Sequence, residues 1–186
     1  MNRSCLVSRL LAAGALLLFG CQHTENSTVI ATGPKLDTRA VVYVGIPADA
    51  YYKKDLAIDS GRQTASMVRE AFAKYVRQAY TGRRVENFNE ALATARQYNC
   101  TYMVYPWILR WEDHATEYTG IRDKAEIKLE VVDTQSGATL HSTILKETGP
   151  WLTADDNTPR GILIEPVAKY VASLFQVIRT PTALPQ

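Results

Sequence analysis

Apolar and charged side chains alternate without exception from Lys124 to Val131. Because successive side chains of a β-strand point to opposite faces, this alternation predicts a strand with one buried face and one solvated face. The segment 133–137 follows with the Asp, Ser and Gly residues that are typical of a turn. Residues 139–146 are expected to return as the antiparallel partner, so the chain must build a sheet that is covered on one face.

The hairpin follows an alternating series of predicted strands and helices. Ser60 and Gln63 have capping-box spacing, and a 3.6-residue period from Met67 to Ala79 predicts a long helix closed by Gly82. Pro166 is tolerated only in the first turn of the last helix. The predicted elements are a strand at 40–46, a helix at 60–82, a strand at 83–88, a helix from Asn89 to 99, a strand at 101–119, the hairpin strands and a C-terminal helix.

This β-α-β-α-β-β-β-α order predicts an α/β (α+β) fold. We expect a single domain with a mixed sheet of about five strands and with the helices on one face. In the longest strand, alternate residues from Met103 to Trp111 are expected to share one face, including Trp107.

The N-terminus has the order of an export signal. Arg3 and Arg9 precede an apolar run at 10–19, which is too short for a permanent membrane span, and Gly20 stands directly before Cys21. This string resembles the bacterial lipobox, with cleavage after Gly20 and acylation of Cys21 by fatty acids such as palmitate. An N-terminal membrane helix or a plain secretory signal is the alternative. Residue 22 is not aspartate, which favours the outer membrane, facing the periplasm, in a Gram-negative source.

Four regions follow from this interpretation: a signal peptide at 1–20, a lipidated flexible tether at 21–38, the domain at 39–178 and a disordered tail at 179–186. The whole chain has 21 Lys and Arg against 19 Asp and Glu. Removing the signal takes away two arginines and leaves 19 of each sign. A neutral mature chain gives no electrostatic reason to expect nucleic acid as a partner.

Few residues suggest chemistry. Cys100 is the one cysteine left after Cys5 and Cys21 are assigned to the signal and the lipid, and we expect it to be buried. His141 is expected to be structural or exposed. The sequence has none of the common nucleophile, zinc-protease or nucleotide-binding motifs, so a non-enzymatic role without cofactor or metal is expected.

The segment 107–117 is the densest in functional residue types. Glu112, Asp113, His114 and Glu117 could hold a metal or perform acid–base catalysis. On a strand, however, only Glu112 and His114 share a face, whereas a structural zinc site needs four ligands. We therefore expect a solvated strand end there.

An aromatic recognition patch is a second interpretation of this region. Trp151 follows Gly149-Pro150 in a predicted loop and could stand exposed beside Trp111, although most aromatic residues at strand period are core. The predicted partner-binding residues are Trp111, Glu112, Asp113, Thr116, Glu117, Tyr118 and Trp151.

Several strings carry a family resemblance: Tyr105-Pro106, Ile108-Leu109, Trp111-Glu112-Asp113, Ala115-Thr116-Glu117, Glu126-Ile127-Lys128-Leu129, Asp133 to Gly137, Trp151 and Ile164-Glu165-Pro166. Over about 38–178 the chain resembles a family of uncharacterised bacterial lipoproteins described only as a domain of unknown function, family 4823. Tyr118-Thr119-Gly120 stands where family members often have a second tryptophan and a glycine. The resemblance implies the lipid anchor and the fold, and it implies no activity.

Three hypotheses follow. The first is a non-enzymatic envelope lipoprotein, anchored to the membrane through Cys21, whose partner is an envelope protein or a peptidoglycan or other glycan. The second is a metal-dependent or hydrolytic envelope enzyme that uses the Glu112–His114 region. The third is a structural subunit of an envelope assembly.

Overall fold

The computed structural model describes residues 26–114, 121–150 and 158–175. The strands are β1 (Asn26–Ala31), β2 (Val41–Val44), β3 (Tyr51–Tyr52), β4 (Asp55–Leu56), β5 (Gln78–Thr81), β6 (Tyr102–Glu112), β7 (Lys124–Asp133) and β8 (Thr139–Thr148). The helices are α1 (Ser60–Phe72), α2 (Phe88–Gln97) and α3 (Pro159–Leu174).

The main sheet has six strands in the order β1-β8-β7-β6-β2-β5. Strand β2 runs parallel to both β5 and β6, whereas the other neighbours are antiparallel. Strands β3 and β4 form a separate small hairpin. The predicted class, a single mixed α/β domain, is confirmed, with one strand more than expected.

The helices cover both faces of the sheet. Helices α1 and α3 pack against the face that carries Val42, Val44 and Val104. Helix α2 packs on the opposite face, against Tyr43 and Met103. The expectation of helices on one face is therefore correct for α1 and α3 alone. The connections from β2 to β5 and from β5 to β6 run in opposite directions along the sheet, and right-handed crossovers then place α1 and α2 on opposite faces.

Strand β1 lies in the segment predicted as a flexible tether. It pairs with β8, for example Thr28 with Ile144. Beyond it, Leu36 is 5% exposed, and its backbone N–H donates to the carbonyl of Leu174. The tether prediction is therefore wrong for residues 26–38. A polar edge strand was not recognised because its partner lies more than 100 residues away.

Helix α1 begins at the predicted residue but ends a full turn or more early. Asp49, rather than a capping box, serves its N-terminus, because its carboxylate accepts the backbone N–H groups of Asp59 and Gly61. After Phe72 the chain turns into β5 at 78–81. Ala79 faces Val42 in the parallel register, so the predicted continuation of the helix and the predicted strand at 83–88 are both wrong.

Helices α2 and α3, unlike α1, do not begin where they are predicted. Helix α2 is capped by Asn87, not Asn89: Asn87 Oδ1 accepts the N–H of Glu90, and Glu90 Oε2 accepts the N–H of Asn87. Helix α3 starts at Pro159, after the Thr158 cap, so Pro166 lies inside the helix rather than in its first turn. Pro159 and Pro166 are both of a type that fits the first turn of a helix, and the sequence pattern favours Pro166.

A β-bulge changes the faces of the longest strand. The register between β6 and β7 shifts between Ile108 and Arg110. Trp107 is consequently 38% exposed, whereas Trp111 is 5% exposed in the α1–α3 core. The prediction that these two tryptophans share a face is wrong, because the extra residue of a bulge reverses the alternation.

The predicted hairpin is confirmed. The apolar set of β7 is fully buried, its charged set is half-buried, and β8 pairs along its length. Gly137 closes the turn with φ +75 and donates its N–H to the carbonyl of Asp133. In the ranges that the structure describes, no helix has the length and apolarity needed to cross a membrane.

Six strand termini meet at one end of the sheet. Strands β2, β5, β6 and β8 finish there, and β1 and β7 begin there. We call this end the carboxyl end, after the parallel strands. It carries the loops at 45–59 and 82–87 and the described residues 113–114 and 121–123.

Candidate functional site

The structure removes Trp111 from the predicted partner-binding edge. Its side chain is 5% exposed and belongs to the hydrophobic core, opposite Ala125 in the register. A tryptophan buried in this way stabilises the domain and is not available as an anchor for a partner. The expectation of an exposed Trp111 is therefore wrong.

Glu112 lies at the end of β6 in a network of charges. It is 7% exposed, and its Oε1 accepts a 2.6 Å hydrogen bond from Nε of Arg110. The Nε2 atom of His114 lies 3.6 Å from Oε2. Burial raises the pKa of Glu112, but the Arg110 hydrogen bond and charge, helped by His114, outweigh burial and hold the pKa below 4.5. Glu112 is thus held as a carboxylate.

His114 joins this network to the neighbouring loops. Its backbone N–H donates to Oδ1 of Asp123 at 2.7 Å, and its ring meets the edge of the Tyr52 ring at 5.3 Å. Asp123 is 2% exposed, and burial raises its pKa above the ordinary 3.8. No sequence pattern singles out Asp123, because its partner His114 lies across the connection between β6 and β7.

Among the remaining predicted residues, one has a described position. Asp113 is exposed. Outside the described residues lie Gly20, Cys21, Thr116, Glu117, Tyr118 and Trp151. Among the residues with described positions, no three His, Cys, Asp or Glu side chains are placed to share a metal ion.

Cys100 and His141 have the structural roles that were predicted. Cys100 is 4% exposed, and burial raises the pKa of its thiol. His141 is 3% exposed. Its Nδ1 accepts the backbone N–H of Gly33, and its Nε2 lies 2.8 Å from the carbonyl oxygen of Pro34. The imidazole therefore connects strand β8 to the segment that follows β1.

A groove of about 690 Å³ opens between β5 and α2. Its lining consists of tyrosines, arginines and short polar side chains: Tyr43, Tyr80, Thr81, Gly82, Arg83, Arg84, Glu86, Thr94, Gln97 and Tyr98. The loops that follow β2 and β5 leave toward opposite faces of the sheet here. In open α/β sheets, such a switch point at the carboxyl ends of parallel strands is where ligands bind. We call this feature the β5–α2 groove.

A buried carboxylate forms the floor of the β5–α2 groove. Glu86 is 4% exposed; its Oε2 accepts a 2.6 Å hydrogen bond from the Tyr43 hydroxyl, and its Oε1 accepts a 2.7 Å bond from the Thr94 hydroxyl. The backbone carbonyl of Glu86 accepts from the Tyr105 hydroxyl at 2.7 Å. Burial raises the pKa of Tyr43, and the Glu86 hydrogen bond raises it further, so the phenol stays a donor.

The rim of the groove combines aromatic rings with cations. Tyr98 is 64% exposed and stacks at 6.4 Å on the ring of Tyr43. Arg83 is exposed, and no described residue forms an ion pair with it, whereas Arg84 lies 3.5 Å from Glu90. The groove can therefore offer ring faces, hydroxyl groups, a carboxylate and guanidinium donors to one ligand.

Gly82 lets the loop after β5 approach this floor. A Cβ at this position would lie 2.6 Å from the hydroxyl oxygen of Tyr43 and 3.0 Å from Oε2 of Glu86. Only a residue without a side chain fits between the loop and the Tyr43–Glu86 pair. The sequence pattern predicts a helix terminus at Gly82 and contains no sign of the groove.

Solved structures of other proteins share this fold. Two crystal forms of the PelC dodecamer from Paraburkholderia phytofirmans match: one with 18% identity and a TM-score of 0.65, over 81% of this chain and 97% of that one. The other has 20% identity and a TM-score of 0.61, over 80% and 97%. At this identity the similarity shows the fold alone.

Lipoprotein GNA1162 from Neisseria meningitidis matches at 14% identity over 72% of this chain and 99% of that chain, with a TM-score of 0.45.

No curated protein matches the chain. A sequence model of one family, Domain of unknown function (DUF4823), matches residues 34–174, which include every described element from β2 to α3. The chain therefore belongs to the DUF4823 family.

Proposed function

We propose that the protein is a lipid-anchored accessory module of the bacterial envelope that acts by binding an acidic saccharide in the β5–α2 groove. The observation that carries this proposal is the buried Glu86 carboxylate, held between the hydroxyls of Tyr43 and Thr94 on the floor of an open groove. Such a floor is fixed before a ligand arrives, which lowers the cost of binding.

The lining favours a saccharide over an apolar ligand. Tyr80 and Tyr98, 42% and 64% exposed, offer ring faces on which the C–H faces of a sugar can pack. Thr81 and Gln97 add hydrogen-bonding groups for sugar hydroxyls. A ligand pocket with few, fixed polar groups beside aromatic surface is typical of small-molecule recognition.

Arg83 and Arg84 favour an acidic saccharide over a neutral one. Both guanidinium groups stand at the rim, above the floor carboxylate. A guanidinium group binds a carboxylate through two parallel hydrogen bonds, which are about twice as strong as neutral ones. A sugar could bind the arginines at the rim through its carboxylate and donate hydrogen bonds from its hydroxyls to Glu86. Such a ligand would satisfy the charges of both the arginines and Glu86. Uronate polymers share this chemistry, and so does the muramic acid of glycan strands from which the peptide has been removed.

Calorimetry on the purified mature chain in detergent tests the proposal. Trigalacturonate and the peptidoglycan disaccharide with muramic acid represent the two sources, and maltotriose is the neutral control. We expect saturable binding of at least one acidic probe, weakened about tenfold or more by Arg83→Gln. Arg62→Gln, which changes an exposed arginine on α1, is the matched control.

Absence of binding by both acidic probes would refute the saccharide proposal. Equal binding of maltotriose would refute its acidic part. A loss of binding in Arg62→Gln equal to that in Arg83→Gln would show that the effect arises outside the groove.

The lipid anchor is part of the same proposal. Cleavage after Gly20 and acylation of Cys21 would hold the mature chain at the outer membrane, facing the periplasm. Mass spectrometry of the membrane-extracted protein should show a mature N-terminus at Cys21 with acyl chains. The Cys21→Ser variant should leave the membrane fraction; retention of this variant would refute the anchor.

The edge after β6 remains a proposed protein-binding surface, now without Trp111. Of the predicted candidates, Asp113 is exposed and Glu112 is nearly buried. The others lie outside the described residues: Thr116, Glu117, Tyr118 and Trp151. Photo-crosslinking in cells from position 118, with Lys128 as the control position, tests it. A discrete adduct at 118 alone would support a protein partner, and equal adducts at both positions would contradict a specific edge.

A second candidate function is a subunit of an envelope assembly. It is favoured by the fold shared with PelC, which was solved as a dodecamer and which this chain covers over 97% of its length. Sedimentation of the detergent-solubilised chain should then show a discrete oligomer. A monomer at all concentrations tested would refute self-assembly and leave the binding role standing.

A further inference from the structure

We propose that the carboxyl end of the sheet rests on the bilayer surface and that the exposed side chains of the β3–β4 hairpin enter the lipid headgroup region. This inference rests on the proposed acylation of Cys21. It adds a second, non-covalent contact between the domain and the membrane and fixes the orientation of the domain.

The position of β1 sets the distance of the domain from the anchor. Strand β1 begins at Asn26, only five residues after Cys21. Five extended residues span at most about 18 Å. An acylated Cys21 would therefore hold the carboxyl end of the sheet, where β1 begins, within that distance of the membrane.

The long central strands extend beyond this point toward the membrane. Through the register, Asn26 lies level with Lys146, Glu126 and Arg110. Strand β6 continues two residues further, to Glu112, which adds about 7 Å. The end of β6 thus closes much of the gap that the short linker permits.

The β3–β4 hairpin stands at the same level. The ring of Tyr52 contacts the ring of His114, which follows the end of β6. Strand β6 is three strands from β1, or about 14 Å across the sheet. The hairpin is therefore both beyond the start of β1 and within the lateral reach of the linker.

The hairpin and the residues after it expose unusual apolar surface. Tyr51 is 72% exposed, Leu56 44% and Ile58 78%. These are three of the large apolar side chains that the domain leaves in water, and they are clustered within eight residues. Burying such side chains in a bilayer interface is favourable because it removes apolar surface from water, and tyrosine is typical of membrane interfaces.

Two lysines accompany the apolar side chains. Lys53 and Lys54 form the turn of the hairpin and are exposed, with Lys53 Nζ 5.1 Å from the Tyr52 ring centre. Basic residues beside an apolar edge are attracted to anionic headgroups. The occupant that fits this chemistry and this position is the lipid surface to which the chain is tethered.

The proposed orientation sets the β5–α2 groove back from the membrane surface. Strand β2 pairs with β6 only as far as Val104, six residues before Arg110. Because the bulge adds one residue to β6, this separation equals the five residues from Glu126 to Val131 of β7. At about 3.3 Å per residue, the end of β2 lies about 17 Å below the level of Asn26. The groove lies at the same end of the sheet but would then be set back from the lipid surface by about that distance.

Site-specific fluorescence on the acylated full-length protein tests the inference. Ile58→Cys labelled with an environment-sensitive probe is compared with Ser136→Cys in the β7–β8 turn, at the other end of the sheet. Vesicles of phosphatidylethanolamine and phosphatidylglycerol, 3:1, carry doxyl-labelled lipids as quenchers. The buried Cys100 thiol is the background, checked with the unsubstituted chain.

On vesicle-bound protein, we expect a blue shift and quenching at position 58 and neither at position 136. Tyr51→Ser and Leu56→Ser together should reduce the quenching at 58 while the protein stays bound through its acyl chains. A position 58 as unquenched as position 136 would overturn the inference. Failure to bind vesicles at all would instead refute the acyl anchor, so the two failures are distinguishable.

Discussion

The hydroxyl of Tyr43 donates a 2.6 Å hydrogen bond to Oε2 of Glu86, joining the middle of β2 to the loop that follows β5. Both side chains are almost fully buried, at 1% and 4% exposure. The carboxylate is thereby held in the floor of a groove that remains open to solvent. Stability of the domain and preparation of the groove depend on the same contact.

Tyr43→Phe should destabilise the domain by about 1–3 kcal/mol. The substitution keeps the ring but leaves a buried carboxylate oxygen without its donor, which costs the desolvation of that oxygen. Urea unfolding followed by circular dichroism measures the change. Tyr51→Phe, at an exposed position, is the matched control and should be neutral; equal stability of both variants would contradict the role of the hydrogen bond.

Trp111→Ala should destabilise the domain by about 3–5 kcal/mol, because it leaves a cavity in the α1–α3 core. Trp107→Ala is the control. Trp107 is 38% exposed and donates from Nε1 to Glu130 at 2.6 Å, so its loss should cost less. A Trp111→Ala variant as stable as the wild type would restore Trp111 as a candidate surface anchor.

The sequence predicts most where burial alternates and least where an element is chosen by distant residues. The alternation of β7 follows from one buried face, which is why the hairpin is correct in detail. Val76 and Ala79 fit the helical period that continues α1. In the structure, however, Val76 precedes β5 and Ala79 lies inside it. Only pairing with β2, more than 30 residues earlier, decides for the strand.

The candidate site was predictable only in part for the same reason. Glu112 and His114 are neighbours in the sequence, and the structure does bring them together, at 3.6 Å. Tyr43 and Glu86 are 43 residues apart, so no local pattern connects them. The bulge near Leu109 adds one residue to β6 and moves Trp111 to the core, and nothing in the local sequence marks it.

Asp123→Asn should make the domain more stable than the wild type at neutral pH, and this difference should shrink in acid. Burial, then the charge of Asp113, raises the pKa of Asp123 above 3.8. A raised folded-state pKa favours the protonated side chain, so this stabilisation is present below 3.8 and is lost as the pH rises through the folded value. Asparagine keeps an oxygen for the His114 N–H and cannot ionise. Chemical denaturation at several pH values measures the difference.

Glu112→Gln provides the opposite sign for comparison. The folded pKa of Glu112 is held below 4.5, so its stabilisation is present above 4.5 and is lost as the pH falls. The variant should be less stable than the wild type at neutral pH and approach it in acid. If both variants showed the same pH trend, the assignment of these two carboxyl groups would be contradicted.

His141→Phe should loosen β1 without unfolding the sheet. The imidazole accepts the Gly33 N–H and contacts the Pro34 carbonyl, and these are the side-chain contacts that fasten the segment after β1 to β8. Phenylalanine fills the space but leaves both backbone groups unpaired, at about 1–3 kcal/mol each. Hydrogen exchange measured by mass spectrometry should therefore speed up in 26–36 and remain slow in β6 and β7. His114→Phe, at the other end of the sheet, is the control and should leave exchange in 26–36 unchanged. Equal protection of 26–36 in His141→Phe and the wild type would contradict this role of His141. Strand β1 would then be held by its hydrogen-bond ladder with β8 alone. The five residues that follow Cys21 would then end at a strand that needs no further support.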